Sequence, residues 1–386
     1  MREYVNSKIM EYSLILDWIE NEIGILQAKS VHPQIISFLK NRVSYLKQSN
    51  GRLKAILNIG KNKVINRTLP IIHDIEYQIY ILTCHYIPGL KREQESDLFL
   101  GNLLLSNVGR WGLSWVKDIL VRLDGPYAVL PTLSEIPIIF APPQQANSLL
   151  DMAGIYHELG HLVFQRFEEI ADNLIETISG HFSEMMKEIG PMKPEKRTQR
   201  EDAIKDAKDY WIIERLSEIF SDIYATYTCG PAYYFSCVDM IVKMGGNPFN
   251  ICTTDVHPPG AARVHACYKT LLPAYQEEEI TLLVRNMWDT YVKSYQRPTD
   301  FELKCADVLI DSIVETSIQN IKNLLPNARR YSSTISGLSE ARTLTPSDSL
   351  ETILNKSLKI LLKEPKYYPE WEKNVFTILH SKHAKR

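Results

Sequence analysis

The stretch "GIYHELGHLVF", Gly154 to Phe164, decides how the rest of the chain is read. On a helix, residues four apart lie one above the other on a single face. His157 and His161 can therefore direct two imidazoles at one metal ion. Glu158 lies about 100° further round the helix, where its carboxylate can reach a metal-bound water without being a ligand. That is the mechanical content of the H-E-x-x-H pattern. The plain alternative is two histidines that happen to share an amphipathic helix. Ile155, Leu159, Leu162 and Val163 make this helix strongly apolar, and two histidines and a glutamate are costly to bury there without partners. A metal ion supplies the partner.

A catalytic zinc of this kind needs a third protein ligand and one open position. One branch of such sites continues with a glycine and a further histidine at fixed spacing. Phe164 and Phe167 stand at those two places, which excludes that branch. The other option is a glutamate from a later helix. The segment "SEIFSDIYA", Ser217 to Ala225, offers Glu218 and, one turn on, Asp222. Asp222 suits a carboxylate that accepts the free ring N–H of a ligand histidine and fixes its tautomer. Glu214, one turn before Glu218 on the same face, is the rival ligand.

"YHELGH" with a downstream "SEIFSD" resembles the thermolysin-type, glutamate-ligand zinc metallopeptidases (gluzincins) over roughly residues 130 to 270. The resemblance implies one Zn2+ held by His157, His161 and Glu218. Glu158 becomes the general base, and Asp222 the partner of a ligand histidine. It also implies that an edge strand before the active-site helix pairs with an extended substrate. "IPIIFA", Ile136 to Ala141, reads as that strand, and Pro137 suits an edge because proline removes a ladder donor.

The loop "TDVHPPGAARVHAC", Thr254 to Cys267, adds candidates for stabilising an oxyanion. His257, stiffened by Pro258-Pro259, is taken as a catalytic residue, and Arg263 and Tyr233 as possible oxyanion or substrate donors. The alternatives are that His257 caps a helix and that Arg263 pairs with a carboxylate such as Asp255.

Outward from these motifs the chain is mostly helical. "EYSLILDWIENEIGILQ" places Leu14, Ile15, Trp18, Ile23 and Leu26 near helical spacing, and "HPQIISFLKNRVSYLKQ" repeats the pattern. A third long helix ends at Pro88-Gly89, and another spans "NLLLSNVGRWGLSWVKDILVRL". Ser148 and Asp151 offer a capping box for the motif helix. "KDAKDYWIIERLSEIFSDIYATYT" reads as one helix stopped by Gly230-Pro231, and "GGNPFNICTTDVHPPGAARV" as a loop. The fold class expected is mostly α, α+β: a zincin-like metallopeptidase core with a small edge-stranded sheet. It divides into a helical N-terminal region (1–125), a catalytic domain (126–325), and a linker with a helical tail (326–386).

The chain has 386 residues, 45% hydrophobic and 23% charged, with a formal net charge of −2. That balance is ordinary for a globular protein and leaves no global footprint for nucleic acid. No window reads as a membrane span or a leader. Six cysteines without a C-x-x-C pair point to small buried hydrophobes in a reducing cytoplasm. The function expected is hydrolysis of a peptide or protein substrate, with the N-terminal helices available to a regulatory partner. The rivals are a zinc hydrolase acting on another amide or ester, and a zincin-fold binding protein without turnover. A deformylase-like site needs an upstream cysteine ligand, and Cys84 lies in a predicted helix far from the motif.

Overall fold

The computed structural model describes residues 2–28, 32–59, 68–130, 135–143, 148–189, 194–272, 275, 278–332, 335, 337–345 and 347–383. Helices α1 (Arg2–Ala28) and α2 (Pro33–Ile59) form an antiparallel hairpin. The buried residues of α1 are Val5, Ile9, Tyr12, Leu16, Ile19, Ile23 and Leu26, in alternating steps of four and three. Ile36, Leu39, Val43, Leu46, Asn50, Leu53 and Leu57 keep the same rhythm in α2, which is the seam of a coiled coil. Asn50 sits inside that seam and donates to the Ile9 carbonyl and to Ser13 Oγ, both at 3.0 Å. A polar group there fixes the register of the two helices. Leu14 and Trp18, grouped by the sequence with Ile15, Ile23 and Leu26 at helical spacing, lie on the opposite face and are 73% and 45% exposed.

Helix α3 (Leu69–Ile81) does not stop at Pro88-Gly89. It passes through a π-helical turn (Leu82–Tyr86) into α4 (Ile87–Arg92), with Pro88 in the first turn of α4. Proline there withholds a donor from the carbonyl four residues back, and Arg122 Nη1 approaches that carbonyl, of Cys84, at 3.5 Å. Helix α5 (Glu95–Leu105) ends well before the sequence reading placed its end. Gly112, at φ +77° with Leu325 packed against it, breaks the helical path, and "LVR" becomes a strand.

The sheet has three short strands, β1 (Leu120–Arg122), β2 (Ala128–Leu130) and β3 (Ile138–Phe140), in the order β1-β3-β2. β3 runs parallel to β1 and antiparallel to β2. The strand expected at the edge is thus the central one. Pro137 is tolerated because it sits just ahead of the strand, where its carbonyl accepts the Leu120 N–H at 3.1 Å and only a terminal donor is lost. The open edge beside the motif helix belongs to β2.

The second layer is built from α6 (Ala153–Arg166), α7 (Glu168–Lys187), α8 (Pro194–Asp209), α9 (Ile213–Cys229), α10 (Pro231–Met244), α11 (Gly260–Leu271), α12 (Glu279–Val292), α13 (Thr299–Lys304), α14 (Asp307–Leu324), α15 (Leu338–Arg342), α16 (Leu350–Lys363) and α17 (Tyr368–His383). A 3-10 turn (Leu150–Met152) leads into α6, and the capping contact read at Ser148 is a 3.5 Å approach of the Asp151 N–H to Ser148 Oγ. Tyr210 to Ile212 separate α8 from α9 where one helix was expected. The break read at "GPMKPEK" falls partly on 190–193, outside the described residues.

Two apolar cores cross the boundaries drawn at 125 and 325. One joins α1 to α4 with Leu120, Ile136 and Ile138. The other runs from Phe99 to Leu379 and includes α16 and α17, so the C-terminal helices are core elements. Glu351 of α16 accepts the Trp111 indole N–H and, at 3.0 Å, the Tyr156 hydroxyl. Asn355 donates to the Cys229 carbonyl at 2.7 Å and accepts from Ala232 N–H at 2.9 Å, holding the turn between α9 and α10. No helix among the described residues is long and apolar enough to cross a membrane.

α6 and α9 pack antiparallel at a backbone-to-backbone distance that Gly160 permits. A Cβ on Gly160 would lie 2.6 Å from Ser221 Cα. Gly160→Ala should force the two helices apart and destabilise the fold by about 1–3 kcal/mol in chemical denaturation. Unchanged stability would mean that the helices shift freely.

His32 joins the helical hairpin to the sheet. Its Nε2 is 2.6 Å from Glu93 Oε1 and its Nδ1 3.5 Å from Asp118 Oδ2, with all three side chains buried. Burial opposes a charge on the ring, yet the bonds to Asp118 and Glu93 raise its pKa to about 9. A raised folded-state pKa gives stability that is complete below the unfolded value and lost as pH rises through the folded one. Urea titrations should show the wild type losing on the order of 3 kcal/mol between about pH 6.5 and pH 9.5. His32→Gln should lose about 3 kcal/mol less than the wild type over that window.

Candidate metal centre

α6 and α9 face each other with their polar residues in register. His157 Nε2 lies 3.1 Å from His161 Nε2 and 3.1 Å from Glu218 Oε2, and His161 Nε2 lies 3.4 Å from Glu218 Oε1. A tetrahedral zinc ion with bonds of about 2.0–2.1 Å requires donor atoms roughly 3.3 Å apart. The three side chains fit such an ion, and they form the one cluster of metal-ligating groups found among the described residues. Glu214, the rival ligand, points to solvent.

Each imidazole is oriented from behind. His161 Nδ1 is 2.9 Å from Ser217 Oγ. His157 Nδ1 donates to Asp222 Oδ1 at 2.9 Å. Asp222, fully buried, also accepts from the Tyr233 hydroxyl at 2.5 Å and from Arg263 Nε and Nη2 at 2.6 and 2.8 Å. Burial alone would raise the Asp222 pKa, but Arg263 and His157 hold it well below the usual carboxylate range. An acceptor that stays ionised keeps the proton of His157 on Nδ1 and turns Nε2 toward the other ligands.

The protein groups alone already call for positive charge at this point. Burial disfavours a charged His157, yet Asp222 and Glu218 raise its pKa to about 10. Burial and the charge on His157 push His161 down to about 4. One proton thus balances the His157–Glu218 contact, and a divalent cation would take its place.

A cavity of about 570 Å³ opens on this cluster. His157, Glu158, Tyr233, His257 and Arg263 line it, together with Tyr127, Met240 and Met244 and the charged Asp151, Asp239 and Lys243. Burial pushes the Glu158 carboxyl up to about 7, where a carboxyl can both take and give a proton near neutral pH.

The oxyanion candidates separate by geometry. Arg263 pairs with Asp222 rather than with Asp255, and the Tyr233 hydroxyl also donates to Asp222. Both hold the carboxylate behind His157 and both line the cavity, where they were expected as possible oxyanion or substrate donors. His257 remains facing the cavity, its Nε2 3.4 Å from Glu218 Oε2 and its Nδ1 2.8 Å from Asp255 Oδ1. It begins no helix: α11 starts at Gly260. His265 pairs with Asp311 at 2.9 Å, away from the cluster.

Two residues escaped the sequence reading. Ser217 stands beside Glu218 and had no signal apart from that adjacency. Arg215 is 3% exposed and donates to the carbonyls of Tyr210, Cys252, Thr253 and Asp255 at 2.6, 3.2, 2.9 and 2.6 Å. It ties the loop bearing His257 to the helix bearing Glu218. Its signal was an arginine on an apolar helix ahead of a long Gly- and Pro-rich loop, whose carbonyls need donors.

No protein-family model matches the chain, and no curated protein or solved structure is significantly similar to it. The reading of the site rests on its own geometry.

Elemental analysis of purified wild type should give about one zinc per chain. Glu218→Ala should lose most of it, whereas Glu214→Ala should keep it. Equal loss in both variants would remove Glu218 as the third ligand.

Proposed function

We propose that the protein is a zinc-dependent metallopeptidase of the glutamate-ligand kind. The observation that carries this reading is the convergence of His157, His161 and Glu218 beside a buried Glu158 at one end of an open cavity. Zinc, when bound by those three residues, supplies a Lewis acid that polarises a carbonyl and acidifies a coordinated water.

The chain's own groups do the rest. Glu158, raised to about 7 by burial, accepts a proton as the water attacks and returns it to the leaving amine. His257, held by Asp255 through Nδ1, turns Nε2 toward the cavity, where it can donate to the developing oxyanion. Asp222, clamped by Arg263 and Tyr233, keeps the His157 ring from rotating. The open edge of β2 offers main-chain groups to an extended peptide, and Tyr127, next to β2, leads from that edge into the cavity. Six free cysteines, two of them exposed, suit a reducing cytoplasm, and that location belongs to the same proposal.

Glu158→Gln should keep its zinc and lose roughly 10²–10⁴-fold in hydrolysis of an unstructured peptide mixture. Hydrolysis at the wild-type rate would take Glu158 out of this role. A zinc-loaded wild type that cleaves no peptide would move the proposal to another amide or ester, or to binding without turnover.

A further inference from the structure

The outer face of α1 repeats the rhythm of its inner one. Tyr4, Ser7, Glu11, Leu14, Trp18, Asn21 and Ile25 follow alternating steps of three and four, with Met10 beside them. Tyr4, Met10, Leu14, Trp18 and Ile25 are 46%, 65%, 73%, 45% and 48% exposed. Together they present roughly 600 Å² of apolar surface on one helix, at the upper end of what a monomer shows. Five large apolar side chains exposed on one side of a single helix are more than an ordinary solvent face carries.

The flanking charges limit what can cover it. Asp17 and Glu20 are paired with Lys47, Glu11 with Lys8, and Glu22 with Lys91, all within the chain. The rim therefore neither repels a like surface nor selects a basic partner. An anionic lipid surface draws helices rich in Lys and Arg, and Arg2 and Lys8 are the only basic residues of α1.

We propose that this face joins two copies of the chain, α1 against α1, antiparallel about a two-fold axis at Leu14. In that register Leu14 meets Leu14 and Trp18 faces the Met10–Glu11 step. Ser7 meets Asn21, and Tyr4 faces the Gly24–Ile25 step. Apolar residues fall on or beside apolar ones and small polar residues on each other, while Glu11, paired with Lys8, lies opposite Asp17, paired with Lys47. A parallel register would set Glu11 against Glu11. Two such faces bury about 1,200 Å² together, the lower bound of a specific interface. The two hairpins then form a four-helix bundle. This contact is independent of the metal centre and stands whatever chemistry that centre performs.

Sedimentation equilibrium on the full chain tests it. The wild type should reach twice its mass of 44.4 kDa at micromolar concentration. Leu14→Glu and Trp18→Glu should each weaken self-association at least tenfold with unchanged circular dichroism. Leu14→Cys, on the axis, should cross-link to itself on oxidation above the background set by the exposed Cys84 and Cys252. A wild type that stays monomeric to about 100 μM, whether or not it binds anionic vesicles, overturns the proposal. So does a dimer that both glutamate variants leave intact.

Discussion

The centre depends on a single buried carboxylate. Asp222 receives Arg263 on both oxygens, Tyr233 on one, and the ring N–H of His157 on the same one. An ionised group with no exposed surface persists only when its lone pairs are this fully used. Three helices, α9, α10 and α11, contribute to that one group, and α6 is drawn to it through His157. Loss of Arg263 would leave the buried charge undercompensated, which in proteins generally costs about 3–5 kcal/mol. The orientation of the His157 ring is therefore a by-product of satisfying Asp222.

The motif residues were legible because helical spacing alone determines their relation. His157 and His161 share a face by periodicity, and Glu218 with Asp222 repeats that spacing on the partner helix. The roles of Tyr233 and Arg263 were not legible, since which of several buried polar groups pairs with which is decided by packing. The carboxylate offered for Arg263 from the sequence was Asp255, its near neighbour in the chain. The one it meets lies 41 residues away. Contacts at that separation leave no periodic trace.

The fold was legible in the same uneven way. Long helices announced themselves, but helical spacing alone did not separate the two apolar faces of α1. Leu14 and Trp18 belong to a second stripe, and hydrophobicity cannot say which stripe finds a partner within the chain. The sheet failed for another reason. Strands of three residues are too short to show alternation, so β1 was absorbed into a helical pattern and β3 was sent to the edge by its proline. Pro137 lies one step outside the ladder, a distinction of one residue that no composition rule resolves.

The Asn355 contact carries a consequence for synthesis. The turn that sets α10 against α9, and with it Tyr233 against Asp222, is pinned by a side chain encoded more than a hundred residues later. A ribosome-bound chain that has already emitted both histidines and Glu218 still lacks that pin. The centre acquires its final shape only once α16 is available, so a nascent chain that stops short of Asn355 carries its polar cluster without that pin.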